Sequence, residues 1–273
     1  MKIAAWLLFF LGFSAGALAE CRDRSVRIVE ERLDDGRVRL CAQSDNLLDF
    51  TITLESLRLE NMEASRPLPV TADAKGQKTI ELVVLRIKDT QHAWHYEPLF
   101  SWRYGARGGG QGRVAYRLPY SPGEEHRLIQ GYFGEFSHNA GSQNEYAYDW
   151  AMPVGTTVCA AREGVVVGVR QDSDLGGPDK AFTNCGNYVI IRHDDGTYAE
   201  YFHLKKDGAL VAPGAFVQAG QPIALSGATG FASVPHLHFA VFRPLDGYKR
   251  ETLPAFFRTS TGLHSRLIEG QDY

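Results

Sequence analysis

Cysteine is scarce in this chain of 273 residues. Four occur, Cys21, Cys41, Cys159 and Cys185, and no two are spaced Cys-x-x-C. That argues against a cysteine-based metal site. Charge of one sign is scarce too: 29 Lys and Arg against 32 Asp and Glu leave a net charge of −3. Nothing global therefore points to nucleic acid or an anionic membrane as partner. Beyond the N-terminus no apolar run approaches the ~20 residues that span a bilayer. A long helical period is also missing from the second half. The glycine-rich stretch Gly105–Gly112 lacks the lysine and following helix of a phosphate-binding loop, so it reads as a mobile turn or linker.

Residues 1–19 have the form of a secretory signal. Lys2 precedes an apolar stretch from Ile3 to Phe13, and Ala17-Leu18-Ala19 is a cleavage site of the A-x-A type. Glu20 stands where a lipid-attachment signal wants a small residue, which argues against an anchor on Cys21. The expected location is outside the cytoplasm, periplasmic or secreted. In an oxidising compartment an even cysteine count suggests disulfides. Of three possible pairings the local ones are expected: Cys21–Cys41 around a hairpin, and Cys159–Cys185 on two strands of the second half.

The remaining chain is long enough for two domains, and its hydrophobic content of 44% is that of a folded protein. Ser25–Arg32 and Arg37–Cys41 flank Asp34-Asp35-Gly36, a hairpin signal. Asp49–Leu57, Lys78–Ile87 and Trp94–Tyr104 are further strand-like runs. Residues 20–120 thus read as an immunoglobulin-like β-sandwich. They carry no ionisable constellation, which suits binding or positioning. Residues 121–258 read as an antiparallel β domain and 259–273 as a C-terminal tail. The fold class expected is all-β.

The chemistry points to Pro235-His236-Leu237-His238-Phe239-Ala240-Val241. In a strand, residues two apart share a face. His236 and His238 then face one cavity while Leu237, Phe239 and Val241 face the core. Such a pair is either a metal or proton-transfer site or two surface histidines. The second half supplies further donors in His138, Asp149, His193 and His203. Zinc hydrolysis typically uses three N/O ligands and one open position.

Four ordered segments then carry a resemblance. They are His138 ahead of the Asp149 strand; Pro153-Val154-Gly155-Thr156 with Ala161-Arg162-Glu163-Gly164-Val165-Val166; Tyr201-Phe202-His203-Leu204; and Gly227-Ala228-Thr229-Gly230 followed by His236-Leu237-His238-Phe239. Across residues 130 to 245 the chain resembles the M23 peptidases, the lysostaphin/LytM family of zinc endopeptidases. The resemblance implies one zinc per chain held by His138, Asp149 and His238. It implies that His203 and His236 act unligated at the reacting centre. Two neutral imidazoles and one carboxylate leave zinc one net positive charge, enough to acidify a bound water. The usual spacing of the first two ligands is four residues. Here it is eleven, with Asn139–Glu145 as a polar insertion. A structural role is expected for His193, and His92, His95, His126 and His264 have no partner pattern. Asn187 and Tyr201 are possible cleft residues without an assigned role.

The function implied is cleavage of peptide crosslinks in peptidoglycan. The alternative is an inactive regulator of another wall hydrolase, but such relatives lose ligands, and this chain retains all five positions. A binding module without chemistry fits only residues 20–120.

Overall fold

The computed structural model describes residues 23–110, 112 and 114–273. The expected signal segment and Cys21 lie outside them. The regular secondary structure of the described chain is almost entirely strand, with a single 3-10 helix at Lys180–Cys185. No helix among the described residues is long and apolar enough to cross a membrane.

The first half forms two antiparallel sheets. One runs Arg27–Arg32, Val38–Gln43, Thr79–Ile87, Met62–Ala64; the other Val70–Lys75, Asp49–Glu60, His95–Tyr104. Alternation explains their faces: Val38, Leu40 and Ala42 of the first sheet meet Phe50, Ile52 and Leu54 of the second in one core.

The second half centres on an eight-stranded antiparallel sheet. Its order is Phe216–Val217, Gly164–Arg170, Tyr188–Arg192, Tyr198–Phe202, His236–Pro244, Tyr148–Ala151, Leu128–Gln130, with Arg250–Leu253 also paired to His236–Pro244. Leu237, Phe239 and Val241 point to one face and join Trp150, Tyr201 and Phe257 in a buried core. The opposite face is divided. Tyr188, Ile190, Tyr198 and Phe242 are covered by the first half and belong to its core. Glu200, Phe202, His236 and His238 on the same face are left to line a cleft.

The seam between the halves is tight. The Arg192 guanidinium donates to both oxygens of buried Asp49 at 2.8 and 2.7 Å, and the Tyr198 hydroxyl adds a bond of 2.8 Å. Gly247 presses so close that a Cβ there would sit 2.3 Å from the Ser101 carbonyl and 2.4 Å from the Thr53 nitrogen. The stretch expected to be a mobile linker is pinned where described: the Arg243 guanidinium donates to the Gly109 carbonyl and the Gly110 amide to that of Asp195.

Three further expectations are revised. Cys41 and Cys159 are free, buried thiols, so neither Cys21–Cys41 nor Cys159–Cys185 is formed. Each sits on a strand, Cys41 on Val38–Gln43 and Cys159 on Thr157–Cys159, and alternation turns Cys41 to the face opposite Leu40 and Ala42. The antiparallel rule has exceptions, since Phe256–Thr259 runs parallel to Ala115–Arg117, and Gly176–Gly177 parallel to Gly230–Phe231. Residues 259–273 are integrated into the fold. They include the strand Gly262–His264, Leu267 is buried, and the Tyr120 hydroxyl donates to the Tyr273 carbonyl.

Candidate active site

The cleft is a cavity of about 730 Å³ floored by the histidine strand. Antiparallel register sets Asp149 directly opposite His238, and paired residues on one face touch. The His238 Nδ1 lies 2.8 Å from Asp149 Oδ1. The loop before Asp149 returns His138 to the same point, its Nε2 at 3.4 Å from Asp149 Oδ2. His138, Asp149 and His238 thus offer three donor atoms within 4.8 Å of one another, all buried.

These donors suit a metal ion. His138 Nδ1–H donates to the Gly131 carbonyl at 3.2 Å, which leaves Nε2 as a lone pair. That Nε2 is buried and has no hydrogen-bond partner, a costly state unless something fills it. Two imidazoles and a carboxylate are a familiar zinc donor set. His238 has the opposite surplus, with carboxylates on both sides: Asp149 at Nδ1 and Glu200 Oε1, 3.3 Å from Nε2. Burial opposes its protonated form, but the two carboxylates outweigh that and push the imidazole up to about 9. Burial likewise works against the charge of Asp149, yet the two histidines hold it well below the usual carboxylate range. Glu200 is held down at about 2 against burial, chiefly by Arg250.

His203 and His236 face each other beside this cluster, ring centroids 4.4 Å apart. Strand alternation sends Phe202 to the cleft and would send His203 to the back. His203 instead leaves the strand with a φ of +62°, a rare conformation for a non-glycine residue. Its Nδ1–H donates to the Thr229 carbonyl at 2.7 Å, and that of His236 to the Val234 carbonyl at 2.8 Å. In both rings Nε2 is then the free lone pair, and that of His236 is 4.0 Å from Asp149 Oδ1. Burial, then the neighbouring histidines, lower His203 to about 3, so it is neutral at ordinary pH.

The five expected residues are therefore brought together. His193 is apart from them, buried, with Nδ1–H on the Glu163 carbonyl. Neither Asn187, Tyr201, His92, His95, His126 nor His264 lines the cleft. Tyr201 points to the back core, and Asn187 ties Ser173 to Leu204.

Sequence reasoning missed two supports. Gln130 donates from Nε2 to Asp149 Oδ2 and Ser137 Oγ, both at 2.8 Å, and accepts the Phe136 and Ser137 amides. Glu200 had a detectable signal, since it stands two residues before Phe202 on the strand that leads to His203. Its link to His238 is diagonal, one strand across.

Residues 143–250 match the model of peptidase family M23. The match begins after His138. Peptidoglycan DD-endopeptidase ShyB of Vibrio cholerae is 39% identical over 106 residues, 38% of this chain and 22% of that protein. Glycyl-glycine endopeptidase ALE-1 of Staphylococcus capitis is 35% identical over 114 residues, 40% of this chain and 28% of that protein. The aligned stretch thus spans about a fifth to a quarter of these relatives. Among solved structures, the lysostaphin catalytic domain of Staphylococcus simulans aligns over 47% of this chain and 87% of its own, at 26% identity and a TM-score of 0.33. The strand register that joins Asp149 to the His-x-His pair and the matched sequence coincide, and the chain carries a peptidase family M23 domain.

Proposed function

We propose that the chain is a zinc-dependent endopeptidase that hydrolyses peptide crosslinks of peptidoglycan outside the cytoplasm. The observation that carries this reading is the unpartnered, buried Nε2 of His138 aimed at Asp149, beside two histidines with free Nε2 atoms. His138, Asp149 and His238 hold one zinc per chain. Bound there, zinc supplies Lewis acidity toward a water and a scissile carbonyl.

The residues do the rest. A peptide strand lies in the cleft. One of the free Nε2 atoms of His203 and His236 takes the proton of the attacking water. The hydroxyl adds to the carbonyl carbon, and the imidazolium so formed donates to the oxyanion. Its Nδ1–H bond to a backbone carbonyl steadies that charge. The C–N bond then breaks and the leaving amine takes the proton.

The test is digestion of purified peptidoglycan by the full chain, with mass spectrometry of the products and metal analysis of the enzyme. New peptide termini from a zinc-loaded chain, lost on chelation and restored by zinc, are expected. A zinc-free chain that cuts nothing yet stimulates another wall hydrolase would establish the regulator instead.

A further inference from the structure

The loop of residues 139–147 between His138 and the strand of Asp149 raises a question of positioning. A loop that carries a metal donor must be held within a fraction of an ångström of its partners. Here it is held by Arg250. The guanidinium of Arg250 lies over the Phe242 ring, 4.9 Å from its centroid, and is nearly buried. One of its nitrogens, Nη1, pairs with Glu200 Oε2, while Nη2 donates to Asn144 Oδ1 in the inserted loop. Its backbone amide donates to Gln143 Oε1 at 3.2 Å. The Gln143 oxygen also receives Arg103 of the first half at 3.1 Å, and Arg103 donates to the Tyr248 carbonyl at 2.9 and 3.0 Å. Glu200 in turn takes the Nε2–H of His238.

We propose that Arg250 is a positioning residue for both imidazole ligands: through Glu200 it fixes the His238 ring, and through Asn144 and Gln143 it fixes the loop that returns His138 to Asp149. Arg103 is a second clamp on that loop, supplied by the N-terminal half. A planar fork that bonds two partners at once suits this task, and a lysine does not. The inference rests on the zinc reading above.

The experiment measures zinc affinity of the full chain by competition with a chromophoric chelator, alongside the visible spectrum of the cobalt-loaded protein. The thermal midpoint without metal serves as the structural control. Arg250→Gln should weaken zinc about 10- to 100-fold, the usual range for groups that orient ligands, and should shift the cobalt bands. Glu200→Gln and the double variant Gln143→Ala/Asn144→Ala should each lose part of that and add little on top of Arg250→Gln. Arg250→Lys should recover only part. If Arg250→Gln does not fold, the Gln143/Asn144 variant decides, because it leaves the Arg250–Glu200 pair intact. Folded variants with wild-type affinity and spectrum overturn the inference alone. A wild-type chain that takes up no zinc overturns the zinc reading and this inference with it.

Discussion

On the proposed ligand set, removing His138, Asp149 or His238 takes away one of the three donors, so each alanine variant should lose zinc and activity together. His236 and His203 are different. Each has its Nδ1–H on a backbone carbonyl and its Nε2 unclaimed. Their alanine variants should keep zinc and lose turnover by about 10² to 10⁴, the range of a general acid–base group. Metal content and turnover of each variant check this; zinc-free His236→Ala beside zinc-replete His238→Ala would reverse the roles. His193 matters for stability instead. It is buried with Nε2 unpartnered, and burial lowers it to about 4. At pH above about 6.5 it is neutral folded or unfolded and contributes nothing. Below that the unfolded chain gains a proton that the folded chain refuses until about pH 4, so stability falls with pH. Between pH 7 and 5 His193→Gln should lose about 2 kcal/mol less than wild type in urea unfolding. Parallel pH profiles would refute this origin of the acid sensitivity.

The strand Leu128–Gln130 and the turn after it work as a unit. Gly134 passes so close to Gln130 that a Cβ would lie 2.4 Å from its Cγ. Pushing Gln130 aside would loosen Asp149 and free the Phe136 and Ser137 amides that lead to His138. Gly134→Ala should therefore weaken zinc binding, measured by chelator competition, by about tenfold. Adding Gln130→Ala should cost little more, because both act on the same contact. Full additivity of the two losses would exclude this route. Not all of this element was visible beforehand. The alternation of His236 and His238 against Leu237 and Phe239 is local, so period two alone assigned their faces. Gln130 and Glu200 act across strands, and single-strand periodicity contains no register. His203 broke the alternation altogether through its positive φ.

At the scale of the whole molecule, the two halves share a core and a buried ionic seam. Asp49 is fully buried and satisfies Arg192, the Tyr198 hydroxyl and the Gly76 amide. Asp49→Ala leaves a partly exposed guanidinium and a buried hydroxyl without an acceptor, which should cost about 2 kcal/mol. Because Tyr188, Ile190, Tyr198 and Phe242 belong to the core of the first half, the halves should unfold in one transition. Calorimetry checks both. Two resolved transitions, or a loss under about 1 kcal/mol, would show the halves to be independent. Tyr104 of the first half also lines the cleft, its ring 4.6 Å from Tyr188 and 6.3 Å from Phe202. The first half is thus a wall of the cleft as well as a cover for its sheet.

By itself the sequence determined the all-β class and the two-face design of the histidine strand, both of which rest on local alternation. The five residues that meet around Asp149 were implied by the resemblance that the ordered segments carry. Tertiary structure decided the rest. Asp149 and His238 are 89 residues apart, and only strand register makes them neighbours. The cysteine pairing failed because nearness along the chain is a poor guide to which strands face each other. The residues read as a tail became part of the core because Leu267 found an apolar site there. The first half covers the histidine-bearing face because Phe242, Tyr198 and Ile190 extend that face beyond the histidines as apolar surface, and such surface must be buried.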